Sequence, residues 1–174
     1  MEKTIKSKYI YQGKIVSLRK DKVILPNGKT AEREIVEHGG AVAIVPINKD
    51  GNIILVKQFR KPLEQETIEI PAGKLNPGEN PEKCALRELQ EEIGYTAEKL
   101  EYKFSYYTSP GFCNEILHLF FASNLKESKK PCDEDEIIEI TQVSLQKALH
   151  MIMKGEIIDG KTITGILALF QEEK

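Results

Sequence analysis

Between Gly73 and Gly94, in GKLNPGENPEKCALRELQEEIG, stand the acids Glu79, Glu88, Glu91 and Glu92 and the base Arg87. On a helix, Glu88, Glu91 and Glu92 fall at i, i+3 and i+4 and therefore share one face. Carboxylates some 5–6 Å apart repel by about 3 kcal/mol per pair at an effective dielectric near 20, and by under about 1 kcal/mol in water. Many surface helices carry acidic faces that are simply solvated, but a partly enclosed cluster invites divalent cations. Ligands that are all oxygen select hard ions such as magnesium or manganese. The glycine-hinged loop Gly73–Gly78 before the helix lets a backbone carbonyl, that of Ala72, reach the same ions. Arg87 is positioned to pair with Glu79 or Glu91 and hold the loop on the helix.

The element that positions these groups is a predicted helix from Pro81 to Ile93. Asn80 caps it, Pro81 suits its first position, and Gly94 ends it. Ala85, Leu86, Leu89 and Ile93 form its apolar stripe. Ahead of it, Ala41–Ile47 is a nearly continuous apolar run suited to a central strand. Lys49-Asp50-Gly51 turns that run into a strand at Asn52–Phe59, and Thr67–Ile70 is a short extended piece ended by Pro71. After it, Tyr102–Tyr107, Ile116–Ala122 and Ile137–Val143 read as strands. Leu145–Lys154 and Ile163–Phe170 read as amphipathic helices, the second with Asp159 near its start. Residues 7–37 alternate in short bursts, with hairpin chemistry at Pro26-Asn27-Gly28. Three antiparallel strands there cannot bury a core alone, so they need the main domain or a second copy of the chain. The expected organisation is α/β (α+β), with residues 1–38 as an N-terminal β-strand subdomain and residues 39–174 as the main domain.

Bulk properties narrow the function classes. The 174 residues carry 25 basic and 27 acidic side chains, net −2, which offers no surface for nucleic acid. No run is long and apolar enough for a membrane span, and the N-terminal residues lack a signal-peptide core, so a cytoplasmic location is expected. Cys84, Cys113 and Cys132 have no CxxC spacing, and His38, His118 and His150 are scattered. Disulfides and a zinc centre are therefore not expected.

Reduced to fixed points, the segment reads G-x5-E-x7-R-E-L-x-E-E-x-G-Y, which resembles the Nudix box. At about one chance in twenty per position, its seven fixed residues Gly73, Glu79, Arg87, Glu88, Glu91, Glu92 and Gly94, leaving out Leu89 and Tyr95, coincide on the order of once in a billion placements. The resemblance implies a Nudix-type α/β/α sandwich with a mixed sheet, and metal-dependent hydrolysis of a nucleoside diphosphate linked to another moiety. It implies Glu88 and Glu92 as the main metal ligands, with Glu91 and the Ala72 carbonyl completing the sphere around Mg2+, or Mn2+ as a substitute. Pro110, 16 residues beyond Gly94, resembles the ADP-ribose pyrophosphatase branch. So do the stretches LPNGKTAEREIVEH, VKQFRKPLEQETIEIPAGKL and DEDEIIEI.

That branch implies a substrate contact from Arg60 to the phosphates, and Lys74 is a further substrate-binding candidate. It implies contacts from Arg33 and Glu34 to the adenosine end across a homodimer interface made by the N-terminal strands. Where relatives stack adenine on an aromatic ring, this chain has the guanidinium of Arg33. Ser109 and Pro110 would line the terminal ribose. In the acidic loop Asp133-Glu134-Asp135-Glu136, Glu134 aligns with the general base and Glu136 with an additional metal ligand, and sequence does not separate the two. Glu134, Glu92 and Arg87 are thus the candidate catalytic set. ADP-ribose would be split into AMP and ribose 5-phosphate. A nucleotide sugar or dinucleotide as substrate, or a non-catalytic module that senses ADP-ribose, are the alternatives.

Overall fold

The computed structural model describes residues 1–128, 130 and 138–174. They fall into two compact units, Met1–Ala41 with Ser105–Leu117, and Val42–Phe104 with His118–Lys174.

In the first unit, β1 (Lys3–Gln12), β2 (Val16–Ile24) and β3 (Thr30–His38) form an antiparallel sheet in that order. The turn at Pro26-Asn27-Gly28 closes with the Gly28 N–H donating to the Leu25 carbonyl at 2.9 Å. Asn27 Oδ1 accepts from the Lys29 N–H at 3.1 Å. The small sheet buries little, and Ile5, Tyr9, Ile10, Tyr11 and Ile15 all remain exposed. Residues 105–117 join this unit from far along the chain. The Val36 N–H donates to the Phe112 carbonyl at 2.8 Å, and the Asn114 N–H to the Val36 carbonyl at 3.2 Å.

The second unit is built on β4 (Ala41–Pro46), which is buried along its whole length, as an apolar run without alternation requires. One sheet has the order β7-β4-β9-β8, with β7 at Ala72–Lys74, β8 at Tyr95–Tyr107 and β9 at Ile116–Glu127. A second sheet is antiparallel, with β5 (Ile53–Arg60) between β10 (Glu139–Val143) and β6 (Gln65–Glu69). Helix α1 (Pro81–Glu88) packs Cys84, Ala85 and the following Leu89 and Ile93 against Val42, Ile44, Val56 and Phe120. Helix α3 (Gly160–Glu172) lies on the opposite side of β4. A Cβ placed on its Gly165 would come within 2.8 Å of Val45 and 3.0 Å of Ile70. Helix α2 (Leu145–Met153) starts at a Ser144 cap that accepts from the Lys147 N–H at 3.2 Å. No helix among the described residues is long and apolar enough to cross a membrane.

Several local expectations differ from the structure. The predicted helix 81–93 is α-helical only to Glu88; Leu89–Ile93 is a π turn, closed by Gly94 at φ 74°. Cys84 takes the fully buried place expected for Leu86, which is only half-buried. The glycine-hinged loop begins later than expected, because Ala72–Lys74 extends the sheet as β7 beside β4. β8 begins at Tyr95, directly after the π turn, rather than at Tyr102. The expected strand from Ile137 is seen from Glu139, and Ile137 itself lies outside the described residues.

Candidate active site

The local sequence fixes the entry to the acidic helix. Asn80 Oδ1 accepts from the N–H groups of Glu82 at 2.9 Å and Lys83 at 3.3 Å, satisfying first-turn donors that have no partner within the helix. Arg87 then ties the preceding loop to this helix. Its Nε and Nη2 make a two-pronged pair with Glu79, both at 3.0 Å, and Nη2 also donates to the Lys74 carbonyl at 3.1 Å. Its Nη1 donates to Glu88 at 2.6 Å and to Glu91 at 2.8 Å. The open choice between Glu79 and Glu91 as partner of Arg87 is therefore resolved as both. Arg87 holds the Glu79 carboxyl down at about 2, and its own pKa is raised by that bond.

Glu88 and Glu92 are both buried, although carboxylates rarely are unless partnered. Glu92 Oε2 accepts the Ala72 N–H at 3.1 Å, which binds the far end of the helix to β7. Glu88 lies against Gly73 so closely that a Cβ there would sit 1.9 Å from its carboxylate. Beside it, Cys84 Sγ meets the Lys74 carbonyl at 3.3 Å, and burial pushes this thiol up to about 12. Arg87 Nη2 donates to its sulfur at 3.1 Å, and the raised pKa leaves the thiol a poor nucleophile at neutral pH.

The three helix glutamates are divided between partners, Glu88 and Glu91 on Arg87 and Glu92 on the β7 backbone. Among the described residues, no three histidine, cysteine or acidic side chains converge as a ready-made metal cage. The donor set nevertheless fits a hard divalent cation. Two buried carboxylates lie beside the exposed Lys74 and half-buried Ala72 and Gly73, and a Cβ on Gly73 would fill that cradle.

Arg60, at the end of β5, is also engaged. Its Nε and Nη2 form a fork on Glu69 at 2.8 and 2.6 Å. Thr67 donates to the same carboxylate at 2.5 Å, and Lys161 pairs with it as well. Burial alone would raise the Glu69 carboxyl; Arg60, Lys161 and Thr67 together hold it at about 2. Glu92 and Asp159 add to the electrostatic pull on the Arg60 guanidinium, behind its bond to Glu69. Glu69 and Lys161 were not singled out in the sequence. Their signal was a pair of polar residues, Thr67 and Glu69, alternating with isoleucines in a strand.

The remaining candidates belong to the first unit. Arg33 pairs with Glu2, Nη2 to Oε1 at 2.5 Å, and Glu34 is exposed on the same strand. Ser109 uses its carbonyl to accept from the N–H groups of Phe112 at 3.1 Å and Cys113 at 2.9 Å, with Pro110 exposed in that turn. Arg33, Glu34, Ser109 and Pro110 are thus in one unit. Glu134 and Glu136 lie outside the described residues.

Around this mixed α/β fold and its acidic helix, the similarities to known proteins define a hydrolase acting on pyrophosphate bonds. Residues 37–164 match the NUDIX domain, and residues 2–36 match the nucleoside diphosphate sugar hydrolase N-terminal domain. The chain belongs to the Nudix family. It is 51% identical to an ADP-ribose pyrophosphatase of Bacillus subtilis (strain 168) over 99% of this chain and 94% of that protein. It is 48% identical, over the same shares, to a methanol dehydrogenase activator of Bacillus methanolicus. A crystal structure of an ADP compounds hydrolase shares the fold at a TM-score of 0.88 and 19% identity, covering 98% of this chain and 92% of that one.

Proposed function

We propose that this Nudix hydrolase cleaves ADP-ribose to AMP and ribose 5-phosphate, with magnesium as its cation and manganese as a substitute. The observation that carries the reading is the Glu88 carboxylate seated on Gly73 while Arg87 fastens loop to helix. Such a buried carboxylate is poorly explained as a solvated acidic face. A divalent cation held by Glu88, Glu91, Glu92, the Ala72 carbonyl and Glu136 supplies Lewis acidity and offsets the charge of the diphosphate oxygens. Arg60 grips the diphosphate, because a guanidinium fork suits phosphate oxygens. Lys74 adds a second cation from the end of β7. Glu134 takes the proton of the attacking water; the water oxygen bonds to phosphorus and the bridging P–O bond breaks. Arg33 and Glu34 hold the adenosine end, and Ser109 and Pro110 the terminal ribose. The active form is a homodimer joined through β1–β3, located in the cytoplasm. Chromatography of a reaction with ADP-ribose and magnesium tests the reading; absence of AMP between neutral pH and pH 9 would end it.

The similarity to a protein named methanol dehydrogenase activator favours a second reading, in which the chain activates a dehydrogenase. Methanol oxidation by a methanol dehydrogenase, measured with and without this protein and beside a panel of nucleotide sugars and dinucleotides, separates the two.

A further inference from the structure

Among the described residues Glu69 is the most completely enclosed charge, with 2% of its surface exposed, and the reaction gives it no direct task. Its partners come from three elements. Arg60 reaches it from the end of β5, Thr67 from its own strand, and Lys161 from the first turn of α3. Oε1 accepts from Arg60 Nε at 2.8 Å and Thr67 Oγ1 at 2.5 Å, and Oε2 accepts from Arg60 Nη2 at 2.6 Å and from Lys161. Four donors use the lone pairs of a carboxylate in full, so it has no freedom to rotate.

The first turn of α3 is itself pinned. The buried Thr162 hydroxyl accepts the N–H of Ile70, one residue beyond Glu69, at 2.9 Å and donates to Asp159 Oδ2 at 2.5 Å. Asp159 also takes Lys161 at 3.1 Å. Lys161 is consequently committed to two carboxylates, and its side chain is only 14% exposed. Arg60 differs. Its side chain is 40% exposed, and Glu69 occupies one edge of the guanidinium while Nη1 has no hydrogen-bond partner among the described residues. Glu92 is near enough to act on Arg60 electrostatically.

We propose that Glu69 is a positioning residue that fixes the plane of Arg60 so that its open edge meets the diphosphate. In this arrangement Lys161 and Thr67 lock Glu69 and do not touch substrate. This rests on the reading of Arg60 as the phosphate grip. An arginine on a flexible stem would otherwise lose side-chain freedom on binding; one already held by a buried carboxylate loses less.

The test is a cycle of Arg60→Ala, Glu69→Gln and the double variant, with ADP-ribose and magnesium, at a temperature where melting curves show each protein folded. Arg60→Ala and Glu69→Gln are each expected to raise KM about tenfold or more with kcat held within about twofold. The double variant is expected to match Arg60→Ala alone, since Glu69 acts through Arg60. A role in stability alone would not split KM from kcat in this way. An unchanged KM in Glu69→Gln, or effects that multiply in the double variant, overturn the positioning role and leave the arginine grip standing. An unchanged KM in Arg60→Ala overturns the grip itself and the inference with it. Should Glu69→Gln not fold, Thr67→Val carries the test, because it removes one donor and leaves every charge in place. A KM raised about threefold supports the proposal, and an unchanged KM overturns it.

Discussion

Gly73 and Glu88 are in such close approach that one added methyl carbon on the glycine would lie 1.9 Å from the glutamate carboxylate. The glycine is needed at this point for space. Gly73→Ala should displace Glu88 while leaving the apolar packing of Cys84, Ala85 and Leu89 in place. A displacement of about 1 Å at a reacting centre costs roughly a hundredfold in rate. Turnover of ADP-ribose should fall by that order, and the magnesium needed for half-maximal rate should rise. A magnesium titration of both proteins checks this, and equal half-maximal concentrations would count against it.

Glu92→Gln keeps an oxygen that can accept the Ala72 N–H, so the tie between helix and β7 can survive the loss of charge. Glu92 is buried. Turnover should drop about a thousandfold, equivalent to the several kcal/mol of charge stabilisation that a metal ligand set supplies. Circular dichroism should remain that of the unmodified protein. A near-normal rate at limiting magnesium would remove Glu92 from the ligand set.

The acid limb of stability should report Glu69. Its carboxyl lies at about 2 in the folded protein against an ordinary 4.5, so the folded state binds its proton less readily than the unfolded state. The stabilisation is therefore present above pH 4.5 and is lost as pH falls from there toward 2. The shift corresponds to about 3 kcal/mol at neutral pH. Denaturant melts between pH 7 and 2 should show the gap between the protein and its Glu69→Gln variant closing across that window. A constant gap would mean that the carboxylate is not held by its partners.

Much of this site is legible in the sequence, because it is encoded locally. Asn80, Pro81 and Gly94 delimit the helix, and the spacing of Arg87 from Glu79 and Glu91 is enough to anticipate their pairing. What escaped depends on contacts between distant segments. The π turn at Leu89–Ile93 follows no residue signature, and it feeds directly into β8, whose first half carries mixed polar residues. Thr67 and Glu69 read as the solvent face of a strand, yet both are buried because α3 returns Lys161 and Thr162 from 92 residues away. Phe112 and Asn114 pair with Val36 of β3 through backbone groups, which any sequence could supply, and the Asn114 side chain accepts the His38 N–H.

Cysteine chemistry offers a test of packing around the helix. Burial pushes the Cys84 thiol up to about 12, so almost none of it is thiolate at pH 8. Cys113 is only half-buried. Iodoacetamide at pH 8, followed by peptide mass spectrometry, should alkylate Cys113 and leave Cys84 intact until the protein is unfolded. Early labelling of Cys84 would show that the contact between α1 and β7 opens in the native state.

The N-terminal sheet predicts an assembly. Tyr9, Tyr11, Ile10 and Ile15 are each roughly half exposed, and three strands with so little buried surface are marginal on their own. A second copy of the chain would cover such a face with its own equivalent patch, as two-fold dimers do. Sedimentation equilibrium at micromolar concentration should give twice the 19.7 kDa chain mass. Tyr11→Arg adds a charge to the 60% exposed Tyr11 position and should shift that mass toward the single chain. If Arg33 and Glu34 act across the interface, KM should rise as the mass falls, and dilution of the unmodified protein should reproduce both changes. A single-chain mass for the unmodified protein, with full activity, would place the adenosine contacts within one copy.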